Sequence, residues 1–338
     1  MSLGRYLLRR LALTAVTIVG VIITVFVMTR LLPGDPAAVK AGQYATPEVK
    51  AEIRRQLGLD RPIPVQLVNY LGNVLRGDLG HSTRSGRPVR EDIFRRLPAT
   101  IELAVASLIV GATFGVPLGI WAALRHGSRR DRIVQQLAIF SAATPIFWFG
   151  LVMIYLFYAR WRIAPPPVGR LDTHVAPPRN LTGLYTIDAL VSGNWEALTN
   201  ALSHLAMPTF ALGFVVMSPF IKMARSAMLT VLASDYVLAA RSLGLSDREI
   251  VWQDALKNAL VSLLTVGGIV LGYLLAGNVL VETIFAWPGI GYYAWTALTG
   301  SDYDAIQGFV LTVALIYVFL NLAIDLAYTF IDPRIRLA

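Results

Sequence analysis

The stretch RRLALTAVTIVGVIITVFVMTRLL, residues 9–32, decides the class of fold. Between Arg10 and Arg30 it carries no charge, and its apolar residues show neither the alternation of a strand nor the polar face of a surface helix. About 20 such residues in a helix cross a ~30 Å hydrocarbon layer. A basic start before an apolar run also describes a signal peptide, but that hydrophobic core is only about 7–15 residues long and ends at a small-residue cleavage site. This run is longer and has no A-x-A behind it, so it reads as a signal anchor and a first membrane span.

Five more apolar blocks follow, at about residues 99–124, 133–159, 205–223, 259–281 and 306–330. The fourth is the least apolar, with Pro208 and Pro219 inside it and Lys222 at its end. Proline is tolerated in a membrane helix where neighbours satisfy the freed carbonyls. The chain is therefore expected to be an all-α polytopic membrane protein with about six transmembrane helices. Its 338 residues divide into an N-terminal helix (1–32), a loop region (33–98) and a five-span core (99–338). The composition agrees, at 55% hydrophobic and 15% charged.

The net charge of +9 is no nucleic-acid signal, because the arginines lie between apolar blocks, where they fix topology and meet headgroups. Arg125, Arg129, Arg130 and Arg132 crowd the loop between spans two and three, whereas Glu282, Asp302 and Asp304 mark a last loop without Lys or Arg. The positive-inside rule puts the first of these loops and both termini in the cytoplasm. The two long loops then face outward and would be extracytoplasmic. In the first, Thr46 as N-cap, Pro47 at the first position and Gly58 past the end predict a helix. The second, residues 160–203, holds Pro165–Pro167 and Pro177–Pro178 and reads as irregular chain packed on the outer face.

Catalytic chemistry finds little support. There is no G-x-x-x-x-G-K-[ST] loop to cradle a nucleotide, no cysteine, and four scattered histidines without an H-E-x-x-H pair. No catalytic and no metal-binding residue is assigned. Arg30, Glu102, Glu282 and Asp325 are ionisable groups near span ends, where structural pairing or lining of a path is favoured over an ion relay. Gly111, Gly115 and Gly119 line one face of span two and read as a close helix–helix contact.

Two segments invite a functional reading. In SDYVLAARSLGLSDREIVWQDALKNAL, residues 234–260, Ser234 or Asp235 starts a short helix ended by Gly244. Ser246 to Glu249 then forms a capping box for a second helix. Such an element between two spans suits docking to a soluble partner, or is a plain surface hairpin. From Glu282 to Asp304 the chain is rich in aromatics, with Phe285, Trp287, Tyr292, Tyr293 and Trp295. That is either an interfacial belt or a loop at the mouth of a path, with Asp302 beside it.

The first of these segments resembles the EAA loop of ATP-binding-cassette importer permeases, E-A-A-x-x-x-G followed by I-x-L-P. Ala239, Ala240, Gly244 and Leu256 match, while Leu238, Asp254 and Lys257 depart from the pattern. Those departures resemble the dipeptide/oligopeptide/nickel subfamily, as do Asp235-Tyr236, Ala240-Arg241, Gly244-Leu245 and ALKNAL at 255–260. Further blocks follow in family order: LPGDP (32–36), LGLD (57–60), GDLG (77–80), ATIEL (99–103), PIFW (145–148), ETIF (282–285), WPGIG (287–291) and DPRIR (332–336). The chain is similar to the B-type subunit of dipeptide and oligopeptide importers.

The resemblance implies a type I importer permease fold in a bacterial plasma membrane and half of a translocation path. It implies a heterodimer with a C-type permease subunit, two ATP-binding subunits that hold ATP and magnesium, and an extracytoplasmic substrate-binding protein. This chain would hold no cofactor and meet lipid but no nucleic acid. Asp235, Tyr236, Ala239, Ala240, Arg241, Gly244 and Leu245 would couple to the ATPase, within a loop at 234–258. Glu282, Phe285, Trp287, Tyr292 and Asp302 would lie at the outer mouth or path. Nickel chelates or glutathione travel through relatives of the family. Outside it, a secondary transporter or channel is the alternative, disfavoured by the lack of an internal repeat.

Overall fold

The computed structural model describes residues 3–331 except 32–34, 43, 243, 245, 247, 248, 251–255 and 277. In chain order the helices are α1 (Leu3–Leu31), α2 (Pro36–Ala41), α3 (Pro47–Gln56), α4 (Ile63–Leu75), α5 (Val89–Leu124) and α6 (Arg129–Ala143). Next come α7 (Ile146–Met153) running into a π-helical turn (Ile154–Arg160), α8 (Tyr185–Val191), α9 (Trp195–Leu232) and α10 (Asp235–Ser242). The chain continues through α11 (Leu256–Leu275), α12 (Val279–Ile284), α13 (Ile290–Thr299) and α14 (Tyr303–Ile331).

Four described helices are long and apolar enough to cross a membrane: α1, α5, α9 and α14. The pair α6–α7 passes the same test together but is bent by 96°, and counted as one span it makes five among the described residues, against the about six expected; in α11 the described apolar stretch, Ser262–Leu275, is shorter. Several boundaries differ from the sequence reading. Span two begins ten residues earlier, because Val89 and Ile93 are buried against α13 and α14 and hold the helix beyond the apolar block. Span three is not straight: Pro145 has no N–H to continue the helix, and the bond that would reach Ser141 is lost. Span five stops at Leu275, so residues 279–281 belong to a separate short helix. The 160–203 loop is less irregular than expected, since α8 and the first turns of α9 lie within it.

The largest correction concerns α9. Its sequence is the least apolar of the spans, yet 72% of its most apolar window is buried, against 17% for α1 and α14. It is the hub, and its neighbours explain its composition. A Cβ built on Gly111 would stand 2.6 Å from Val216 Cγ2, one on Gly115 2.7 Å from Phe220 Cβ, and one on Gly119 2.5 Å from the Ile221 carbonyl. The glycine stripe of α5 therefore lets two backbones meet, as small residues do in membrane helix pairs. Pro219 leaves the Val215 carbonyl without its helical donor, and the Ser141 hydroxyl of α6 lies 3.4 Å from it while donating to Phe214 O. Ser218 returns the tie by donating to Ala138 O at 2.7 Å.

Two ends of the bundle can be distinguished. One carries the turn at Gly127 and α10, and is pinned where Arg225 of α9 meets Asp131 of α6 at 2.7 and 2.9 Å. The other carries α2–α4, α8, α12 and α13, and forms a cap. In the cap α3 starts as expected, with Thr46 Oγ1 accepting from Val49 N and Gly58 at φ +64°.

Candidate functional site

The 234–258 element starts where α9 stops. The Ser234 hydroxyl donates back to the Val231 carbonyl, so it closes α9 rather than capping α10. On α10, Val237 is fully buried while Asp235, Ala239 and Ser242 are exposed. Positions i, i+4 and i+7 form one helix face, so α10 is anchored on one side and open on the other. Tyr236, Ala240 and Arg241 are on the same helix. Leu245 lies outside the described residues, as do residues 251–255.

Gly244 adopts φ +83°, the left-handed conformation expected of a helix-ending glycine. No atom lies within 4 Å of a Cβ built there, so backbone strain alone selects glycine. The capping box is also present. Ser246 Oγ accepts from Glu249 N at 3.3 Å, and the Glu249 carboxylate accepts from Ser246 N at 2.9 Å. Beyond it Ala259 of α11 packs with Met228 of α9 and Ala123 of α5, which ties the element to the hub.

The aromatic segment behaves differently from the mouth loop the sequence suggested. Glu282, Phe285, Trp287 and Asp302 are all at least 98% buried, and Tyr292 is half-buried. A docking protein has no access to the first four. Glu282 accepts from Thr100 Oγ1 at 2.7 Å and from the Tyr292 amide at 2.8 Å. Tyr292 is in the first turn of α13, so the carboxylate caps that helix from a neighbouring element and meets the positive end of its dipole. Thr100 in turn accepts from Ile290 N at 2.9 Å, and Trp287 Nε1 donates to Ala99 O at 2.8 Å. The glycines of Trp287-Pro-Gly-Ile-Gly291 make the room: a Cβ on Gly289 would fall on the Glu282 carboxylate. Asp302 likewise caps α14 through Ala305 N and accepts from Ser82 Oγ at 2.6 Å. These residues form a knot that fastens α12 and α13 to the start of α5.

Sequence reasoning missed the matching knot on the proline-rich loop. Arg170, only 7% exposed, donates to Glu102 at 2.6 Å and to Gly183 O at 3.0 Å, with its guanidinium 3.6 Å from the Tyr185 ring. Glu102 also accepts from the amide and hydroxyl of Thr186, both at 2.7 Å. Burial works to raise the Asp188 carboxyl, but the Thr182 hydroxyl and the amides of Thr182, Gly183 and Leu181 hold it below the usual range. The Asn200 amide, with His204 behind it, does the same for Asp172. The available signal was that both signs of charge, Arg170 with Asp172 and Asp188, recur within a proline-rich stretch between two apolar blocks.

Every buried carboxylate just described is satisfied within the chain, and among the described residues no group of three metal-ligating side chains converges. What remains is a rigid helical hub with a stiff cap at one end and a helix offering a free face at the other.

Residues 115–337 match the family described as "Binding-protein-dependent transport system inner membrane component", and residues 3–104 match its N-terminal companion. The chain belongs to this transport-permease family. The permease is 45% identical over 318 residues to the probable D,D-dipeptide transport system permease protein DdpB of Escherichia coli K12, covering 94% of this chain and 93% of the relative. It is 40% identical over 335 residues to the di/tripeptide transport system permease protein DppB of Pseudomonas aeruginosa, covering 98% of each. The permease also shares its fold with a chain of the inward-facing MetNI methionine ABC transporter. That match has a TM-score of 0.52 at 16% identity, over 70% of this chain and 95% of the other.

Proposed function

We propose that this permease is a membrane subunit of an ATP-driven importer whose cargo is a short peptide. The observation that carries the reading is near-full-length similarity, at about 40% identity, to permeases named for dipeptide and di/tripeptide transport. A second permease chain of the C type would complete the path as the partner of this B-like one. Two ATPase subunits would bind ATP and magnesium and carry the hydrolysis, and a substrate-binding protein would dock on the cap. This chain supplies path and coupling rather than chemistry.

The geometry supports a mechanical role. The exposed face of α10, with Asp235 and Ala239, is the surface offered to an ATPase, and Gly244 fixes its far end. A push there reaches α9, whose 38 residues run without interruption for about 57 Å to the cap. Because α5, α6 and α9 are bound by the glycine contact and the Asp131–Arg225 pair, they rotate as one body. Rocking of such a body against its partner opens a path alternately to the two sides. The arginine cluster at 125–132 and α10 share an end, which supports a cytoplasmic location for both, with the termini on that side and the cap outside.

The test is reconstitution in proteoliposomes with the adjacent permease, ATPases and binding protein, measuring ATP-dependent uptake of a labelled dipeptide. Uptake that needs all components supports the proposal. Dipeptide uptake by this chain without ATPases would replace it with a secondary carrier.

A further inference from the structure

Helix α14 carries polar groups at a depth where a membrane span seldom exposes them. Tyr317 is its middle residue, so that about 21 Å of helix lies on either side within Tyr303–Ile331. A neighbouring helix gives the same depth. Leu311 and Leu315 pack with Ile18, Val21, Ile22 and Val25 of α1, midway between Arg10 and Arg30. From there a tyrosine hydroxyl does not reach an interface by snorkelling. Asn321 follows one turn later on the same face. Tyr317 is 49% exposed and Asn321 half-buried, and among the described residues neither side chain has a hydrogen-bond partner.

The packing of α14 decides where this face points. Leu311 and Leu315 are turned to α1. Leu320 and Ile324 are turned to α11, where a Cβ on Gly272 would stand 3.2 Å from Leu320 Cδ2 and one on Gly268 would meet Ile324 Cδ1. These contacts run in opposite chain directions, so the two helices are antiparallel. In an antiparallel pair the residues that follow the contact positions turn to one side. They are Ile269 and Tyr273 on α11, both exposed, and Asn321 on α14. The buried Leu263, Val266, Val270 and Leu274 hold the other side of α11 on the hub. The shared face of Tyr273, Tyr317 and Asn321 is therefore turned away from the chain's own core.

Lipid does not suit that face. On α1 the exposed side chains include Leu13, Val16, Val19, Ile23 and Val27, and the exposed hydroxyls of Thr17 and Thr24 donate to carbonyls one turn back. The opposite side of α14 is likewise apolar, with Phe319 and Ala323 exposed. Tyr317 and Asn321 have no such internal outlet, and a hydroxyl or amide left unpaired in hydrocarbon is costly. Polar residues at membrane depth accordingly face a bundle interior or a water-filled cavity. Both groups are uncharged, and each can donate and accept. That suits the N–H and C=O of a peptide bond and is indifferent to the charge of the cargo's side chains.

We propose that Tyr273, Tyr317 and Asn321 line the translocation path and hydrogen-bond the backbone of the peptide as it passes. The proposal rests on the import reading above and adds to it the residues that touch the cargo.

The test is thiol labelling of the complete importer in proteoliposomes by a charged, lipid-insoluble methanethiosulfonate. The chain has no cysteine of its own, and the partner subunits are made cysteine-free. Tyr317→Cys and Asn321→Cys are expected to react several-fold faster than Phe319→Cys on the apolar side. Both should react more slowly while dipeptide-loaded binding protein and ATP drive transport. Tyr317→Phe, which removes only the hydroxyl, should slow dipeptide uptake about fivefold. If Tyr317→Cys fails to assemble, Asn321→Cys decides the labelling alone. Slow reaction of the thiols with the charged reagent would overturn the proposal. Rapid reaction with a lipid-soluble maleimide would then assign the face to lipid, and slow reaction with both reagents would assign it to a helix of the partner permease. Fast labelling that dipeptide does not slow would overturn the cargo contact. Wild-type uptake in the same vesicles separates this proposal from the import reading. Uptake beside unreactive thiols removes the face from the path and keeps the importer, whereas no uptake by wild type removes the importer and the cargo contact with it.

Discussion

Gly289→Ala is the sharpest test of the cap's construction. The backbone at Gly289 is extended, with φ −90° and ψ −176°, which any residue adopts, so alanine costs nothing in conformation. Its methyl would instead fall on the carboxylate of Glu282, which is fully buried and has no room to retreat. Moving that carboxylate breaks at least one of two charge-assisted bonds, to Thr100 Oγ1 at 2.7 Å or Tyr292 N at 2.8 Å. Each is worth about 1.5–3 kcal/mol, and overpacking adds about 1–3 kcal/mol, so a loss of roughly 3 kcal/mol or more is expected. The control is the same substitution in a Glu282→Ala background, where the added methyl enters vacated space. There Gly289→Ala should be neutral or mildly stabilising, giving a coupling energy of about 3 kcal/mol in a double-mutant cycle. Intrinsic tryptophan fluorescence on heating in detergent follows the unfolding. An equal drop in midpoint in both backgrounds would show that the carboxylate is not what excludes the side chain.

Three further outcomes are expected. Gly244→Val forces a β-branched residue to φ +83°, a strain of about 1–3 kcal/mol, and should lower ATP-driven uptake while subunit assembly survives. Gly244→Asn, which tolerates this region, should retain most uptake; equal loss in both variants would refute the backbone argument. On the proposed orientation, single cysteines at Gly127→Cys and Ser85→Cys should react with impermeant maleimide from inside and outside respectively, and reversed labelling would invert the map. Asp188 has a depressed native pKa, so its stabilisation is complete above the ordinary aspartate range and is lost as pH falls through the native value. Asp188→Asn should therefore raise protease sensitivity of residues 170–190 at pH 7 and lose its difference from wild type at strongly acid pH; a constant difference would remove the carboxylate from the account.

The apolar helices were legible because each apolar block is written locally, in runs such as residues 11–29. So were the single-residue signals of Thr46, Gly58, Gly244 and the Ser246–Glu249 box, whose geometry depends on neighbours within a few residues. The knots were not legible, because Glu282 meets Thr100 and Arg170 meets Glu102 across 182 and 68 positions, and no local pattern encodes such pairings. Reading Glu282, Phe285 and Trp287 as a mouth followed from polarity and aromaticity alone. Burial reversed it, since a carboxylate held at a helix N-terminus is tolerated where no water reaches. The apparent weakness of α9 had the same origin: hydropathy measures fitness for lipid, whereas α9 mostly meets protein.

The glycine stripe of α5 also bears on biosynthesis. Gly119 meets its partner Ala224 only after about a hundred further residues have been made, roughly 5–20 s at ordinary elongation rates. During that interval α5 resides in the bilayer with its small-residue groove unfilled and Asp131 awaiting Arg225. The later helix of this pair, α9, is the one least suited to lipid, carrying two prolines and Arg225, and it enters a membrane in which its groove and counter-ion are already present. Order of synthesis thus supplies the partner before the demand, and a circular permutant that made α9 ahead of α5 would have to insert its poorest span unaided.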